Sequence, residues 1–275
     1  MPDYARPDTV TDALRLMAGG GWRVLAGGTD LYPGAGSCLA GSVMDVTALP
    51  GFAAITRGGG LRIGAATPWS VIAAADLPEA CRALQQAALQ VGGRQIQNAG
   101  TLGGNLCNAS PAADGVPPLL AMDAEVELLS ATGTRRLAIT DFLLGPRKIA
   151  LAPGEILAAV VIPDSALRGK SAFLKLGART HLVISIAMVA ARLVVERGRV
   201  SEAAVAVGSC SAVAARLPLV EAALRGCPVA DAVGRISAPD VQVALAPIDD
   251  VRATSAYRHE AAVELVRRAV MEALA

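Results

Sequence analysis

Thr101-Leu-Gly-Gly-Asn-Leu-Cys-Asn-Ala-Ser-Pro-Ala-Ala-Asp114 is the stretch whose reading decides the fold. It belongs to a glycine-rich run that opens at Asn98 and has an upstream counterpart, Val24-Leu-Ala-Gly-Gly-Thr-Asp-Leu31. Each segment carries a Gly-Gly pair flanked by small hydroxyl or amide side chains and reads as a loop. Paired glycines permit positive φ and let the backbone approach a ligand closely. Successive N–H groups can then point into one concavity and hold an anion such as a diphosphate. Neither segment contains Lys or Arg, so a phosphate held there is bound by main-chain amides and by hydroxyls such as Thr29 and Thr101. Gly27 and Gly104 are the expected points of closest approach. A single Gly-Gly is most often a tight turn; two with matching flanks favour a site.

Other nucleotide motifs fit poorly. The nearest approach to G-x-G-x-x-G begins at Gly34-Ala-Gly36, but Leu39 stands where the third glycine belongs and no strand precedes it. No P-loop Gly-Lys-Ser/Thr occurs.

Working outward, short strands and helices surround both segments. Thr9 and Asp12 form a capping box for a helix that carries Val10, Leu14 and Met17 on one face and stops at Gly19-Gly20-Gly21. Trp22–Ala26, Ser42–Val46 and Leu61–Ala65 read as strands, and Arg57–Gly60 turns Phe52–Thr56 into Leu61–Ala65. Asp76, Pro78 and Glu79 signal the start of a helix that carries Cys81, Leu84, Ala88 and Val91 and ends at Gly92-Gly93. Val126 and Leu128 alternate with Glu125 and Glu127 in a half-buried strand, and Thr132-Gly133 turns it into Arg135–Thr140. Glu155–Ile162 is another strand, closed by Pro163. Residues 163–170 then mark a boundary. Three strand-like runs follow (Ala172–Leu176, Ile184–Val195, Ala203–Val207), then helices over Pro218–Arg225 and near Ala261–Ala273. Strands and helices are segregated, which indicates an α+β fold.

Composition narrows the function. The chain has 275 residues, a formal charge of +1 and 53% hydrophobic residues. Such a chain buries roughly 70–75% of its extended surface and is too apolar to be disordered. Near-neutral charge speaks against nucleic-acid binding, which needs a basic face. The most apolar run, Leu182–Ala191, is far short of the ~20 residues that span a bilayer, and the N-terminus lacks a secretory pattern, so a cytoplasmic protein is expected. Five scattered cysteines (Cys38, Cys81, Cys107, Cys210, Cys227) read as buried free thiols of a reducing compartment. Without clustering, they are not expected to hold zinc or an iron–sulfur cluster.

VLAGGTDL (24–31), GAAT (64–67), TLGGNLCNASPAAD (101–114), GEILAAVVIP (154–163) and FLKLGAR (173–179) follow one another in this order. Together they resemble the FAD-binding medium subunit of the molybdenum hydroxylases, the family of xanthine dehydrogenase, aldehyde oxidase and aerobic carbon monoxide dehydrogenase. Asp250-Val-Arg252 and Tyr257-Arg258 resemble its closing helix region. The resemblance implies a PCMH-type FAD-binding domain over residues 1–165, in two subdomains of about 1–50 and 51–165. A small α+β domain of the CO dehydrogenase flavoprotein type follows over 166–275. By position, Val24, Leu25, Ala26, Gly27, Gly28, Thr29, Asp30 and Leu31 would wrap the FAD diphosphate. Thr101, Gly103, Gly104 and Asn105 would form the opposing loop, and Asp114 would accept hydrogen bonds from the cofactor. Val91 and Leu157 would pack near the flavin or adenine, and Lys175 would lie near the isoalloxazine.

The resemblance further implies non-covalent FAD, with the molybdenum cofactor and [2Fe–2S] clusters confined to partner subunits. Those partners would be an iron–sulfur small subunit and a molybdopterin large subunit, in a dimer of heterotrimers. Electrons would pass from the clusters to FAD and on to NAD or another acceptor, because a flavin handles one- and two-electron steps. No membrane or nucleic acid is implied. The alternative is a stand-alone FAD-dependent oxidoreductase acting on a small molecule. Cys107 reads as structural, since neither His181 nor His259 adjoins it in sequence; both histidines read as plain surface or core residues.

Overall fold

A computed structural model describes residues 3–36, 39–180 and 182–275; Cys38 and His181 lie outside the described residues. The Thr9 capping box forms: its Oγ1 accepts from the Asp12 amide at 3.1 Å and opens α1 (Val10–Ala18). Strands β1 (Tyr4–Ala5), β2 (Trp22–Leu25) and β3 (Ser42–Asp45) make a parallel sheet ordered β1-β3-β2. The first glycine segment therefore leaves the carboxyl end of a parallel strand, the edge at which open sheets of this kind place ligands.

The next part is a five-stranded antiparallel sheet ordered β4-β5-β10-β6-β7. Its strands are β4 (Ile55–Arg57), β5 (Leu61–Gly64), β6 (Glu125–Ser130), β7 (Gly133–Ala138) and β10 (Ile156–Ile162). Between β5 and β6 run α2 (Trp69–Ala74), α3 (Arg82–Gln90), α4 (Arg94–Ala99), α5 (Leu102–Asn108) and α6 (Val116–Ala121). The short α7 (Ile139–Phe142) and the hairpin β8 (Leu143–Gly145) and β9 (Lys148–Ile149) follow β7. All of β10 is buried because both faces are covered. A bulge between Leu157 and Ala159 resets its alternation. Ile156 and Ala158 join the core of Met44 and Phe52, whereas Leu157, Val160 and Ile162 join that of Trp69, Leu106 and Leu119.

Beyond Pro163, β11 (Lys170–Leu176), β12 (Ala187–Glu196), β13 (Arg199–Gly208) and β14 (Ala215–Arg216) pair antiparallel in chain order. One face packs on α8 (Pro218–Leu224), α9 (Ala238–Gln242) and α10 (Ser255–Leu274). The other meets α3 and α6, with Ala83, Ala87 and Ala121 of the helices against Ala190, Ala204, Phe173 and Met188 of the sheet.

The structure departs from the sequence reading at both ends of the glycine-rich region. The helix expected from Asp76 begins at Arg82, after a 3-10 turn at Glu79–Cys81. Its buried N-terminus is capped from a distant strand: Ser171 Oγ accepts from Ala83 N and donates to the Ala80 carbonyl, both at 2.8 Å. The second glycine segment is not a loop. Thr101 is an N-cap whose Oγ1 accepts from the Gly104 amide at 3.1 Å, and α5 begins at Leu102. Two glycines disfavour a helix by roughly 1 kcal/mol each, but packing beneath Gly103 overrides that propensity. The first hairpin strand is shorter than expected, and α10 starts six residues before Ala261, at Ser255.

Candidate FAD site

The two glycine segments touch. A Cβ at Gly27 would lie 1.9 Å from the Ala99 carbonyl oxygen and 2.9 Å from Gly100 Cα, so only glycine allows the turn after β2 to meet the α4–α5 corner. A cavity of about 430 Å³ opens at this joint. Val24, Leu25, Ala26, Gly28, Thr29, Asp30 and Leu31 line one side, and Thr101, Gly104 and Asn105 the other. Val91 lines this cavity and a second one of about 410 Å³. The two also share Thr29, Asp30, Ile96, Asn105 and Asn108, and the second reaches Asp114 and Lys175.

The glycines do different jobs. Gly28 adopts φ +69°, and a side chain there would strike the Tyr32 ring at 2.3 Å. Gly103 faces away from the cavity, where its Cβ would sit 2.6 Å from Ala65 Cβ and 2.9 Å from Leu157 Cδ2. Leu157 is therefore core packing behind α5 and lines neither cavity. Gly27 also contacts protein rather than the cavity. Gly104 turns an exposed face to the cavity, with only Thr101 Oγ1 close, at 3.0 Å.

Asp114 and Lys175, 61 residues apart, form a buried ion pair at 2.6 Å. The other Asp114 oxygen accepts from Ser185 Oγ, also at 2.6 Å, so both carboxylate oxygens are already engaged by protein. Burial raises the Asp114 pKa, and the Lys175 charge and the two hydrogen bonds oppose that rise. Lys175 also donates to the Gln90 carbonyl at 3.2 Å, which leaves one ammonium N–H for the second cavity. Where the cavities join, Asn108 Nδ2 donates to Asp30 Oδ1 at 2.9 Å, and Arg147 donates to the Asn108 carbonyl at 3.0 Å and to its Oδ1.

Sequence reasoning missed Ser185, Asn108 and Arg147. Asn108 sits inside the second glycine segment without a signal of its own, and no local spacing connects Ser185 or Arg147 to the motifs. Arg147 and Leu182, which line the second cavity, have φ of +60° and +52°, each costing on the order of 1 kcal/mol. Cys107 is exposed on the rim of the first cavity, unlike the buried Cys81, Cys210 and Cys227.

The residues fit FAD. Main-chain amides of residues 24–31, the Thr29 hydroxyl and the Asn105 side-chain NH2 are neutral donors suited to a diphosphate, and Asn105 Oδ1, buried without a hydrogen-bond partner among the described residues, is an acceptor suited to a cofactor hydroxyl or N–H. Both volumes lie within the usual range for small-molecule sites, about 300–1,000 Å³. Among the described residues, no helix is long and apolar enough to cross a membrane, and no group of His, Cys, Asp or Glu is arranged to hold a metal ion.

Fold and cavity together define a dinucleotide-binding α+β protein. The FAD-binding domain of molybdopterin dehydrogenases matches residues 1–165, and the CO dehydrogenase flavoprotein C-terminal domain matches 156–273. The chain is 30% identical to a xanthine dehydrogenase FAD-binding subunit of Escherichia coli O157:H7, over 99% of this chain and 96% of that one. It is 29% identical to the nicotine 6-hydroxylase medium subunit of Paenarthrobacter nicotinovorans, over 98% and 96%. A reconstituted CO dehydrogenase from Oligotropha carboxidovorans superposes with a TM-score of 0.91 at 26% identity, covering 100% of this chain and 98% of that one. The chain belongs to the FAD-binding subunit family of the molybdopterin dehydrogenases. It is a flavoprotein component of an oxidoreductase.

Proposed function

We propose that this chain collects electrons for a cytoplasmic molybdenum-hydroxylase complex. Its electrons come from [2Fe–2S] clusters on an iron–sulfur small subunit, and substrate is oxidised on a molybdopterin large subunit. They leave for NAD or another acceptor. The relatives named as medium subunits or FAD subunits support such a division of labour, and the assembly proposed is a dimer of heterotrimers. The observation that carries the reading is the Gly27 contact, which joins both glycine segments around one cavity that continues to Lys175.

FAD held there non-covalently supplies one- and two-electron redox chemistry. Residues 24–31 present amides to its diphosphate from one side; from the other, where the amides of residues 102–105 already donate within the protein, the Thr101 hydroxyl and the Asn105 side-chain amide do so beside the open face of Gly104. Val91 packs beside the ring. Lys175 holds a positive charge at the end of the second cavity, where it favours negative charge on a bound ring. Asp114 and Ser185 keep that ammonium in place. Gly103 and Leu157 support α5 from behind. The change from the five-stranded to the four-stranded sheet across residues 163–170 supports a FAD domain over 1–165 and a second domain over 166–275.

The test is the absorbance of purified protein, followed by co-purification of its complex. The expected results are the bands of oxidised flavin at one FAD per chain, and two partner subunits, one of them carrying iron–sulfur clusters. Protein that cannot be reconstituted with FAD would refute the proposal. Turnover of a small molecule by the isolated chain would favour a stand-alone oxidoreductase instead.

A further inference from the structure

Asp250-Val-Arg252 and Tyr257-Arg258, at the entry to α10, line neither cavity of the FAD site. Arg258 is nevertheless only 3% exposed. A guanidinium taken out of water needs its donors matched, and three acceptors meet this one. Asp250 Oδ1 accepts from Nη2 at 2.7 Å and is itself fixed by the amides of Arg252 and Ala253, at 2.8 and 3.3 Å. Nη1 donates to the carbonyls of Ile186 and Ser209, at 2.6 and 3.0 Å.

Both of those carbonyls belong to segments that lead to Asp114. Ser185, the neighbour of Ile186, donates through Oγ to Asp114 Oδ1 at 2.6 Å. The Ile186 amide donates to the carbonyl of Leu176, the residue after Lys175, at 2.8 Å. The Ser209 amide donates to the Pro111 carbonyl at 3.0 Å, three residues before Asp114. Ser209 holds this position in left-handed backbone at φ +63° without being glycine, a cost of about 1 kcal/mol that persists only where the surroundings impose it. Arg258 therefore ties the residue before β12 to the residue after β13. The two tied segments reach the buried Asp114–Lys175 pair from different sides. Lys175 turns one free N–H to the second cavity, so its direction depends on where Asp114 is held. The arrangement needs the two-pronged geometry of a guanidinium, which a lysine ammonium lacks.

We infer that Arg258, oriented by Asp250, is a positioning residue for electron transfer: it sets where the Asp114–Lys175 pair stands beside the bound ring, and so how strongly the site prefers reduced over oxidised FAD. The inference rests on the proposed function, which puts the ring at Lys175. A cation held beside the ring stabilises the negative charge of the reduced form, and a displaced one does so less. A clamp that served folding alone would lower stability without changing that preference.

The test is the midpoint potential of FAD in the loaded full-length chain, by spectroelectrochemical titration, with Tm measured alongside. Arg258→Lys keeps the positive charge and loses the fork. It should reduce the preference for reduced FAD at least tenfold, a fall of about 30 mV in a two-electron couple. Ser185→Ala should lower the potential in the same direction, and the two changes together should shift it by less than their sum. Val266→Ala, in the buried face of the same helix, is the control: its Tm should fall while its potential stays at the wild-type value. Asp250→Asn carries the test if Arg258→Lys does not fold. It should also lower the potential, although removing a negative charge would by itself raise it. A wild-type potential in Arg258→Lys, an equal shift in Val266→Ala, additive shifts with Ser185→Ala, or a raised potential in Asp250→Asn would each overturn the inference. Loss of FAD from Arg258→Lys would overturn it too, since positioning the pair leaves the diphosphate contacts intact. A wild-type chain that takes up no FAD contradicts the proposed function, whereas FAD-loaded variants at the wild-type potential contradict only this assignment.

Discussion

Gly103 and Gly104 are neighbours that face opposite sides of α5, so one added methyl at each separates packing from ligand binding. At Gly103 the new Cβ would fall 2.6 Å from Ala65 Cβ, 2.7 Å from the Ala65 carbonyl oxygen and 2.9 Å from Leu157 Cδ2. Two of these atoms belong to Ala65, the residue directly after β5, whose amide pairs with the Ala158 carbonyl of β10 and which cannot withdraw without moving the sheet. Overpacking of this kind costs about 1–3 kcal/mol, and each kcal/mol lowers Tm by roughly 2–4 °C in a protein of this size class. At Gly104 the nearest atom is Thr101 Oγ1 at 3.0 Å. The gain in helix propensity, about 1 kcal/mol, offsets crowding of a cap worth about as much. Gly104→Ala should therefore leave the Tm of FAD-free protein within about 3 °C of wild type. Its methyl nevertheless occupies the cavity wall where a diphosphate must approach, so FAD affinity should fall at least about tenfold, roughly 1.4 kcal/mol. Thermal unfolding of FAD-free protein and FAD titration by fluorescence quenching read the two effects separately. Wild-type affinity in Gly104→Ala, or wild-type Tm in Gly103→Ala, would refute the assignment of faces.

Gly27→Ala should disrupt the joint itself, because its Cβ would overlap the Ala99 carbonyl; lower Tm together with lost FAD binding is expected, and a stable variant that binds FAD would contradict it. Lys175→Met strands the buried Asp114 carboxylate and should cost about 3–5 kcal/mol in urea unfolding, with Asp114→Asn in the same chain restoring most of that. Burial already raises the Asp114 pKa against the pull of Lys175, so without the lysine it rises further. A raised carboxyl favours folding while protonated, and the deficit of Lys175→Met should therefore shrink as pH falls toward the ordinary carboxylate range; a deficit independent of pH would count against the pair. Asp250 behaves oppositely: the Arg252 amide and the Arg258 guanidinium lower its pKa to about 2. Its contribution is present above the unfolded value near 3.8 and is lost as pH falls through about 2. The stability difference between wild type and Asp250→Asn should vanish across that window, and a difference that persists below it would rule out the ion pairing as its cause.

Much of this architecture was legible from local signals. The Thr9–Asp12 box, the Gly19–Gly21 stop, the Glu125–Leu128 alternation and the strand stop at Pro163 each act within a few residues, and each appears where the sequence puts it. What escaped depends on partners far along the chain. The cap of α3 comes from Ser171, 88 residues beyond the amide it accepts from, so Asp76 looked like the better cap. The segment after Thr101 looked like a loop because its glycines oppose helix, yet close approach to Ala65 and Leu157 requires one of them there. The cavity residues divide in the same way. The glycine segments announce themselves, whereas Ser185 and Arg147, and the role of Asn108 within its segment, acquire meaning only when the segment before β12, the end of α5 and the β8–β9 turn come together. Asp114 and Lys175 were legible as residues of interest, but their mutual pairing was not.

The most direct measurement is a structure of the protein with FAD bound. Main-chain amides from residues 24–31 and polar side-chain groups of Thr101 or Asn105 should both lie within about 2.7–3.2 Å of oxygens on the same diphosphate, with the ring system lying toward Lys175. A diphosphate held by only one of those segments, or located outside their common cavity, would contradict this account of the site.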